Sequence, residues 1–134
     1  MKIRLVADTH ALLWYLYNDP RLSTTAGTLM DATDTAGDQI AISAIVLAEV
    51  VYLIEKNRID TAALDRILAA FNRKDSTLVE IPLDCWIIQA MRRIDRARVP
   101  DLPDRIVAAT ALHLGVPVIS RDRKIQSSTI ATIW

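Results

Sequence analysis

Four carboxylic acids of this 134-residue sequence lie at positions that an apolar core disfavours. Asp8 follows the apolar run IRLVA, Asp122 follows VPVIS, and Asp104 opens the segment DRIVAATAL. Helix capping explains each of these three singly, because aspartate is favoured at helix N-termini. Glu49 lies in an apolar helical stripe, and its neighbours one turn away are Ile45, Val46, Tyr52 and Leu53. A structural ion pair with an arginine would explain Glu49 as well as a functional role would.

A cluster of these four acids would favour a divalent cation. Two carboxylates about 4 Å apart repel by roughly 4 kcal/mol at an effective dielectric of about 20, so a cluster needs protons or a cation. Ligands that are all oxygen suit Mg²⁺ or Mn²⁺, and Mg²⁺ usually keeps several waters. Because a metal-bound water can attack a phosphodiester, these residue types together indicate metal-assisted hydrolysis.

The elements that must position the acids are those of an α/β domain with a mostly parallel central β-sheet flanked by helices. Short β-branched runs alternate with segments of helical spacing. Ligands bind beyond the carboxyl ends of the strands in an open parallel sheet, where Asp8 and Asp122 are expected. The predicted strands are IRLVA, QIAIS, TLVEI, VPVIS and IATIW, the last an edge strand that closes at Trp134.

Helix boundaries are predicted from capping residues. Ser43 is expected to cap AIVLAEVVYLIEKN, and Asp84 is expected to cap CWIIQAMRRIDRA. Either Asp60 or Thr61 is expected to cap AALDRILAAFNR. The segment LPDRIVAATALHLG begins with proline and an acid and ends in glycine, which is the usual order for a helix start and stop.

Length and composition indicate one domain of residues 1–134. No repeat or linker divides the sequence, and the polar stretches 31–38 and 72–76 are predicted to be internal loops. Hydrophobic residues make up 51% of the chain, and the mean hydropathy is +0.22. These values predict a sheet covered on both faces or a substantial interface, and the second of these would accompany a homo-oligomer.

We expect the protein to stay in the cytoplasm. The single cysteine, Cys85, allows no internal disulfide, which agrees with a reducing compartment. The first residues, MKIRLVAD, do not resemble a signal peptide. The longest apolar stretch, AISAIVLAEVVYLI, is interrupted by Glu49 and is shorter than the ~20 apolar residues of a membrane span.

The net charge of zero does not by itself indicate a polyanionic partner. Residues 68–134 are nevertheless net basic, with ten Lys or Arg against seven Asp or Glu. This excess could form a basic rim for a phosphate backbone. For the segment RRIDRAR taken alone, a solvated helix face with ordinary ion pairs is the better interpretation.

Four motifs extend over nearly the whole chain, in the order ADTHALLWYL, ISAIVLAEVVYL with KNRI behind it, LPDRIVAATALHLGVPVIS and SRDRKI. In this order and spacing they resemble the PIN-domain family, and within it the VapC-type toxin ribonucleases of bacterial toxin–antitoxin pairs. The resemblance implies an endoribonuclease that uses one or two Mg²⁺ or Mn²⁺ ions on structured RNA, whether tRNA, rRNA or mRNA. It also implies a homodimer and inhibition by a cognate antitoxin protein.

The resemblance also assigns roles to individual residues. The family's acidic quartet, which would supply the catalytic metal ligands, corresponds to Asp8, Glu49, Asp104 and Asp122. Polar positions that support the metal site correspond to Thr9 and Ser43, with Ser120 as a looser match. The candidate RNA-binding residues come instead from the basic excess of residues 68–134, and they are Arg105, Arg121, Arg123 and Lys124. Arg105 is also expected to pair structurally or to rim the site.

Other residues near the motifs have simpler explanations. Asp101 is expected to cap a helix without touching metal, because the family's acid is the one followed by arginine. His10 is interpreted as a first-turn helix residue, and His113 as a capping or packing residue. Trp14 is expected in the core or in a dimer interface, although it could also stack on an unpaired base.

Two other functions are compatible with the same residues. A nuclease of this fold could take part in housekeeping RNA maturation rather than act as a toxin. A non-catalytic protein could instead use the acids as a pocket for the arginines of a partner protein, because carboxylates and guanidinium groups form bidentate hydrogen bonds.

Overall fold

The computed structural model describes residues 2–126 and 128–134, and the strands of this part form one parallel sheet. The strands are β1 (Ile3–Ala7), β2 (Gln39–Ser43), β3 (Leu78–Ile81), β4 (Val118–Ile119) and β5 (Thr132–Ile133). They are hydrogen bonded in the order β3-β2-β1-β4-β5, and every neighbouring pair is parallel. The predicted α/β class and the parallel sheet are therefore confirmed, and β5 is an edge strand as expected.

The strand order changes direction between β1 and β4. The chain builds β1, β2 and β3 outward on one side, and then returns to add β4 and β5 on the other side. A crevice opens beyond the carboxyl ends of the strands at such a point. Asp8 directly follows β1, and Asp122 lies three residues after the end of β4.

Helices connect and flank these strands. They are α1 (Thr9–Leu16), α2 (Thr24–Thr35), α3 (Ala44–Glu55), α4 (Ala63–Phe71), α5 (Cys85–Met91), α6 (Leu102–Leu114) and α7 (Arg123–Gln126). Within residues 2–126 and 128–134, no helix has both the length and the apolar character needed to cross a membrane. The sheet lies between helical layers, and consecutive residues of β1 and β2 are buried. Burial of successive residues means that both faces of the sheet are covered, which accounts for much of the apolar composition.

Three predicted helix boundaries are confirmed. The Ser43 side chain accepts a hydrogen bond from the Ile45 backbone N–H at the start of α3. The Asp84 carboxylate accepts the first-turn N–H groups of α5. Helix α6 ends at Gly115, whose φ of 69° lies in the left-handed region that glycine adopts without strain.

The stretch 31–38 was predicted as a loop, and the structure shows that this prediction was wrong for most of it. Helix α2 continues to Thr35. Its buried residues are Ala26, Met30 and Thr33, at spacings of four and three, and the Thr33 hydroxyl donates to the Leu29 carbonyl oxygen. The polar composition of the stretch concealed a narrow buried face, because the remaining positions of α2 are mostly exposed.

Two further helix predictions also require correction. Helix α5 ends at Met91 instead of continuing through the basic segment, and residues 92–98 form turns in which the Asp95 side chain accepts the Ala97 N–H. Helix α4 begins after Ala62 and has no side-chain cap. Asp60 instead accepts the Ala62 N–H in the turn before the helix.

Candidate functional site

A cavity of about 410 Å³ opens beyond the carboxyl ends of β1 and β4. It is lined by Asp8, Thr9, His10, Trp14, Glu49, Asp101, Asp104, Arg121 and Asp122. The lining includes all four acids that the sequence singled out. They come from the end of β1, the middle of α3, the first turn of α6 and the segment after β4, so the fold brings together residues far apart in the chain.

Asp8 is both a helix cap and a cavity residue. One carboxylate oxygen accepts the Ala11 N–H at 2.9 Å and so begins α1. The other accepts the Ser120 hydroxyl at 2.5 Å. Only 9% of Asp8 is exposed, and this burial raises the pKa of its carboxyl, against the opposing effect of the hydrogen bonds from Ser120 and Ala11. The Asp8 carboxylate is therefore fixed in position, but its hydrogen bonds do not fully offset the cost of burying its negative charge.

Glu49 faces the cavity from α3. Its carboxylate accepts the Thr9 hydroxyl at 2.8 Å, which joins α3 to the first turn of α1. Burial raises the pKa of Glu49, and the charges of Asp101 and Asp8 raise it further, while Thr9 and His10 act in the opposite direction. None of the ion pairs seen in the described part of the chain involves Glu49, so the arginine partner considered from the sequence is not observed.

Asp104 lies next to Asp122 in the cavity, and the pKa of Asp104 is strongly raised. Burial, together with the charges of Asp122, Asp101 and Glu49, raises the pKa of Asp104 to about 8. A hydrogen bond with Asp122 also favours the protonated form of Asp104. Asp122 itself accepts the Lys124 N–H at 2.7 Å at the start of α7. In the absence of a cation, Asp104 thus holds a proton near neutral pH.

The three supporting residues lie in different relations to this cavity. Thr9 lines it and holds Glu49, as described above. Ser120 is fully buried; its hydroxyl donates to Asp8 and accepts the Asp122 N–H at 3.0 Å, so it connects the ends of β1 and β4. Ser43 is buried at the end of β2, where its hydroxyl caps α3, and it is not part of the cavity lining.

The four candidate RNA-binding residues are separated by the fold. Arg121 lines the cavity, whereas Arg123 and Lys124 are exposed on α7. The Arg105 guanidinium donates to the carbonyl oxygens of Met91 and Ile94, at 3.1 and 3.2 Å, and so ties α6 to the end of α5. These contacts match the structural pairing considered for Arg105, and its RNA-binding role stays a prediction.

The sequence reasoning preferred a structural role for three residues that line the cavity. Asp101 caps α6 by accepting the Asp104 N–H at 3.1 Å, as expected, but its charge also acts on Glu49 and Asp104. His10 and Trp14 lie on one face of α1, and their ring centroids are 5.5 Å apart. The sequence could have shown that His10 and Trp14 lie side by side, because residues four apart are neighbours on a helix surface.

The donor set of the cavity suits a divalent cation chemically. Asp8, Glu49 and Asp104 all have raised pKa values, which shows that the protein alone does not compensate their charges. Bound Mg²⁺ or Mn²⁺ would compensate them, and both ions prefer oxygen ligands. Among the described residues, however, no three or more Asp, Glu, His or Cys side chains are already arranged to hold a metal ion. The acids would therefore have to move closer together on binding.

Chains of three complexes from toxin–antitoxin systems are among the solved structures with a similar fold. A chain of the VapBC2 complex from Rickettsia felis, bound to a DNA fragment from its promoter, superposes with a TM-score of 0.71 at 15% identity over 98% of both chains. A chain of a toxin–antitoxin complex from Klebsiella pneumoniae gives a TM-score of 0.67 at 24% identity, over 97% of this chain and 96% of that one. A chain of DNA-bound VapBC from Salmonella typhimurium gives a TM-score of 0.66 at 21% identity, over 98% of this chain and 97% of that one. These similarities establish the fold.

Sequence comparison identifies the family. No curated protein sequence matches the chain significantly. The model of the PIN domain, in contrast, matches residues 5–129, which include all of the acids that line the cavity. The match covers nearly the whole chain, and it agrees with the motifs and with the parallel sheet described above. This chain therefore belongs to the PIN domain family.

Proposed function

We propose that this protein is a metal-dependent endoribonuclease that hydrolyses RNA phosphodiester bonds and acts as the toxin of a toxin–antitoxin pair. The observation that carries the proposal is the meeting of Asp8, Glu49, Asp104 and Asp122 in one cavity of a PIN domain. A structural role would have left these acids dispersed as separate caps and ion pairs. The shared cavity, and the raised pKa values of Asp8, Glu49 and Asp104, are typical of a site that requires a cation.

In this proposal the four acids hold one or two Mg²⁺ or Mn²⁺ ions. A bound ion would supply a water of lowered pKa and would neutralise charge on the reacting phosphate. The protein positions the ligands: Ser120 orients Asp8 and the backbone before Asp122, and Thr9 orients Glu49. Asp104 would hold a cation only in its deprotonated form, in which the positive charge of the ion would replace the proton.

The proposed substrate is structured RNA, and the proposed partner is a cognate antitoxin. The structural neighbours named above are complexes of toxin–antitoxin systems, which supports this class of partner. We also infer that the protein acts in the cytoplasm and forms a homodimer. Large apolar side chains on three helices support the dimer, since such exposure is typical of an interface; they include Tyr52, Trp86, Ile88 and Leu102, each at least 45% exposed.

Cleavage of purified cellular RNA tests the catalytic proposal. The parent protein, freed of any bound inhibitor by unfolding and refolding, is incubated with Mg²⁺, with Mn²⁺ or with chelator. Asp8→Asn is the test variant, and Asp65→Asn is the matched control, because Asp65 is exposed on α4 and does not line the cavity. We expect discrete fragments from the parent and from Asp65→Asn with metal, and none with chelator or from Asp8→Asn. Equal cleavage by Asp8→Asn would show that the site assignment is wrong.

The arginine-binding alternative is favoured by one observation, namely that the described acids are not already arranged around a metal position. A thermal melt with and without Mn²⁺ separates the two functions, since a ligand that binds only the folded state raises the midpoint. We expect Mn²⁺ to raise the midpoint of the parent and of Asp65→Asn, but not that of Asp8→Asn. A folded protein that shows neither this shift nor cleavage would favour the binding function.

Expression in cells distinguishes a toxin from a housekeeping nuclease of the same fold. A toxin is expected to arrest growth, and co-expression of its antitoxin is expected to restore growth. Harmless expression of a protein that cleaves RNA when purified would favour the housekeeping function.

A further inference from the structure

Arg121 is the only lysine or arginine that lines the acid cavity in the part of the chain that the structure describes. It lies between two residues of the site, Ser120 and Asp122, and its side chain is exposed. Five carboxylic acids line the same cavity, yet none of the described ion pairs involves Arg121. An arginine so close to several acids would be expected to pair with one of them unless another contact held it away.

That other contact is the ring of Trp14. The guanidinium carbon of Arg121 lies 5.7 Å from the centroid of this ring, within the range of a cation–π interaction. Trp14 is itself well fixed, with 9% of its surface exposed. The ring of Trp134, which follows β5, meets it edge-on at 5.7 Å, and the ring of His10 lies 5.5 Å away on α1.

A second guanidinium at the same ring provides a comparison. Arg21 lies 5.1 Å from the Trp14 centroid, but its guanidinium is also paired with the Asp19 carboxylate through contacts of 2.7 and 3.1 Å. The charge of Arg21 is thus neutralised by an acid of the same turn. None of the described ion pairs neutralises Arg121 in this way, and a guanidinium that contacts an aromatic ring can still donate its N–H groups to another acceptor.

We propose that Arg121 binds an RNA phosphate beside the bond that is cleaved, and that Trp14, supported by Trp134, positions Arg121 for this contact. The inference rests on the proposed ribonuclease function. A guanidinium fork matches two phosphate oxygens, and at this position it adds positive charge next to the acids without occupying them. Arg121 thereby binds the substrate, while Trp14 and Trp134 are positioning residues.

The test compares Arg121→Ala, Arg121→Lys and the control Arg73→Ala at several salt concentrations. Arg73 is exposed in the turn before the amino end of β3, whereas the cavity lies beyond the carboxyl ends of the strands. Arg73→Ala therefore changes the net charge by the same amount as Arg121→Ala but does not alter the cavity. The assay is steady-state cleavage, with Mn²⁺, of purified total tRNA, or of purified rRNA where the parent cleaves rRNA instead. The values of kcat and KM are determined separately for each variant.

We expect Arg121→Ala to raise KM about tenfold, as loss of a charge-assisted contact would. The slope of log kcat/KM against log salt is expected to fall by about 0.7 to 0.9, which corresponds to one lost phosphate contact. Arg121→Lys is expected to keep most of the slope and to recover only part of the affinity, because lysine keeps the charge but not the fork. Arg73→Ala is expected to match the parent in both quantities.

The role of Trp14 is tested by a double-mutant cycle. Trp14→Leu is expected to raise KM about two- to fivefold when Arg121 is present and to have no further effect in the Arg121→Ala background. Independent, additive effects would show that Trp14 does not position Arg121. Should Trp14→Leu fail to fold in a thermal melt, the more exposed Trp134→Leu is used in the same cycle.

The outcomes separate this inference from the function on which it rests. A parent protein that cleaves RNA, together with Arg121→Ala that keeps its KM and salt slope, would overturn the phosphate contact and leave the ribonuclease in place. A folded parent protein that cleaves no RNA would overturn the proposed function itself.

Discussion

Replacement of Asp104 by asparagine is expected to remove a pH-dependent loss of stability from the metal-free protein. Burial and the neighbouring acids raise the pKa of Asp104 from 3.8 to about 8 in the folded state. A group whose pKa is raised by folding binds its proton more tightly in the folded state. Its contribution to stability is complete below the unfolded pKa and is lost as the pH rises through the folded pKa. Asparagine does not titrate, so the variant lacks this loss.

The size of the effect follows from the shift in pKa. A shift of about 4 units at 1.36 kcal/mol per unit corresponds to about 5 to 6 kcal/mol of unfolding free energy. Asp104 is only half-buried at the rim of an open cavity, so solvent screening reduces the effect. We therefore expect the parent to lose about 2 to 3 kcal/mol more than Asp104→Asn between about pH 5 and about pH 9.

Urea unfolding in chelator, followed by circular dichroism at several pH values, measures this difference. Asp65→Asn on α4 is the control, and its pH dependence is expected to match that of the parent, because Asp65 lies outside the cavity. The slope of free energy against urea must remain constant for the comparison to report stability. Parallel stability curves for the parent and Asp104→Asn would refute the inference that the acids repel one another in the metal-free cavity.

Three further substitutions test particular contacts. Ser120→Ala removes the hydroxyl that connects Asp8 to the end of β4, and urea unfolding is expected to show a loss of about 1 to 3 kcal/mol; an unchanged value would show that this connection does not stabilise the fold. Arg105→Ala removes two hydrogen bonds to the end of α5 and is expected to lower the unfolding free energy by about 2 kcal/mol; an unchanged value would show that these bonds add nothing. Trp86→Glu replaces a side chain that is 65% exposed, and sedimentation velocity is expected to show a dimer in the parent and a monomer in the variant at an unchanged thermal midpoint. A monomeric parent would contradict the proposed dimer.

The sequence predicted the sheet well because burial on both faces leaves a clear pattern. The run IRLVA contains no polar residue between Leu5 and Ala7, and these residues are all buried in β1. The pattern was weakest in helix α2. Its buried face consists of only Ala26, Met30 and Thr33, and most of its other residues are exposed. The pattern also did not show that α5 stops at Met91, where the carbonyl oxygens of Met91 and Ile94 accept hydrogen bonds from Arg105 on α6. Such tertiary contacts leave no local signal.

The acids of the site were predicted partly from residue pattern and partly from family resemblance. Strand ends located Asp8 and Asp122, and the apolar neighbours of Glu49 marked it as unusual. The placement of Asp101 was missed for a physical reason. Its capping role gave a sufficient local explanation, and only the packing of α6 against α3 brings the same carboxylate near Glu49.

Helix capping and a place in the acid cavity are combined in the same aspartates of this structure, although the sequence presented capping and a site role as competing explanations. An N-capping aspartate uses one carboxylate oxygen for the first-turn N–H, as Asp8 does with Ala11 and Asp101 does with Asp104. The cap thereby fixes the side-chain torsion, while the second oxygen remains free to face another group. A helix that begins at the carboxyl end of a parallel strand therefore positions the carboxylate of its capping aspartate. The additional loss of side-chain conformational entropy is small, because formation of the helix has already restricted this side chain. The same local interaction thus contributes both to the fold and to the geometry of the acid cavity.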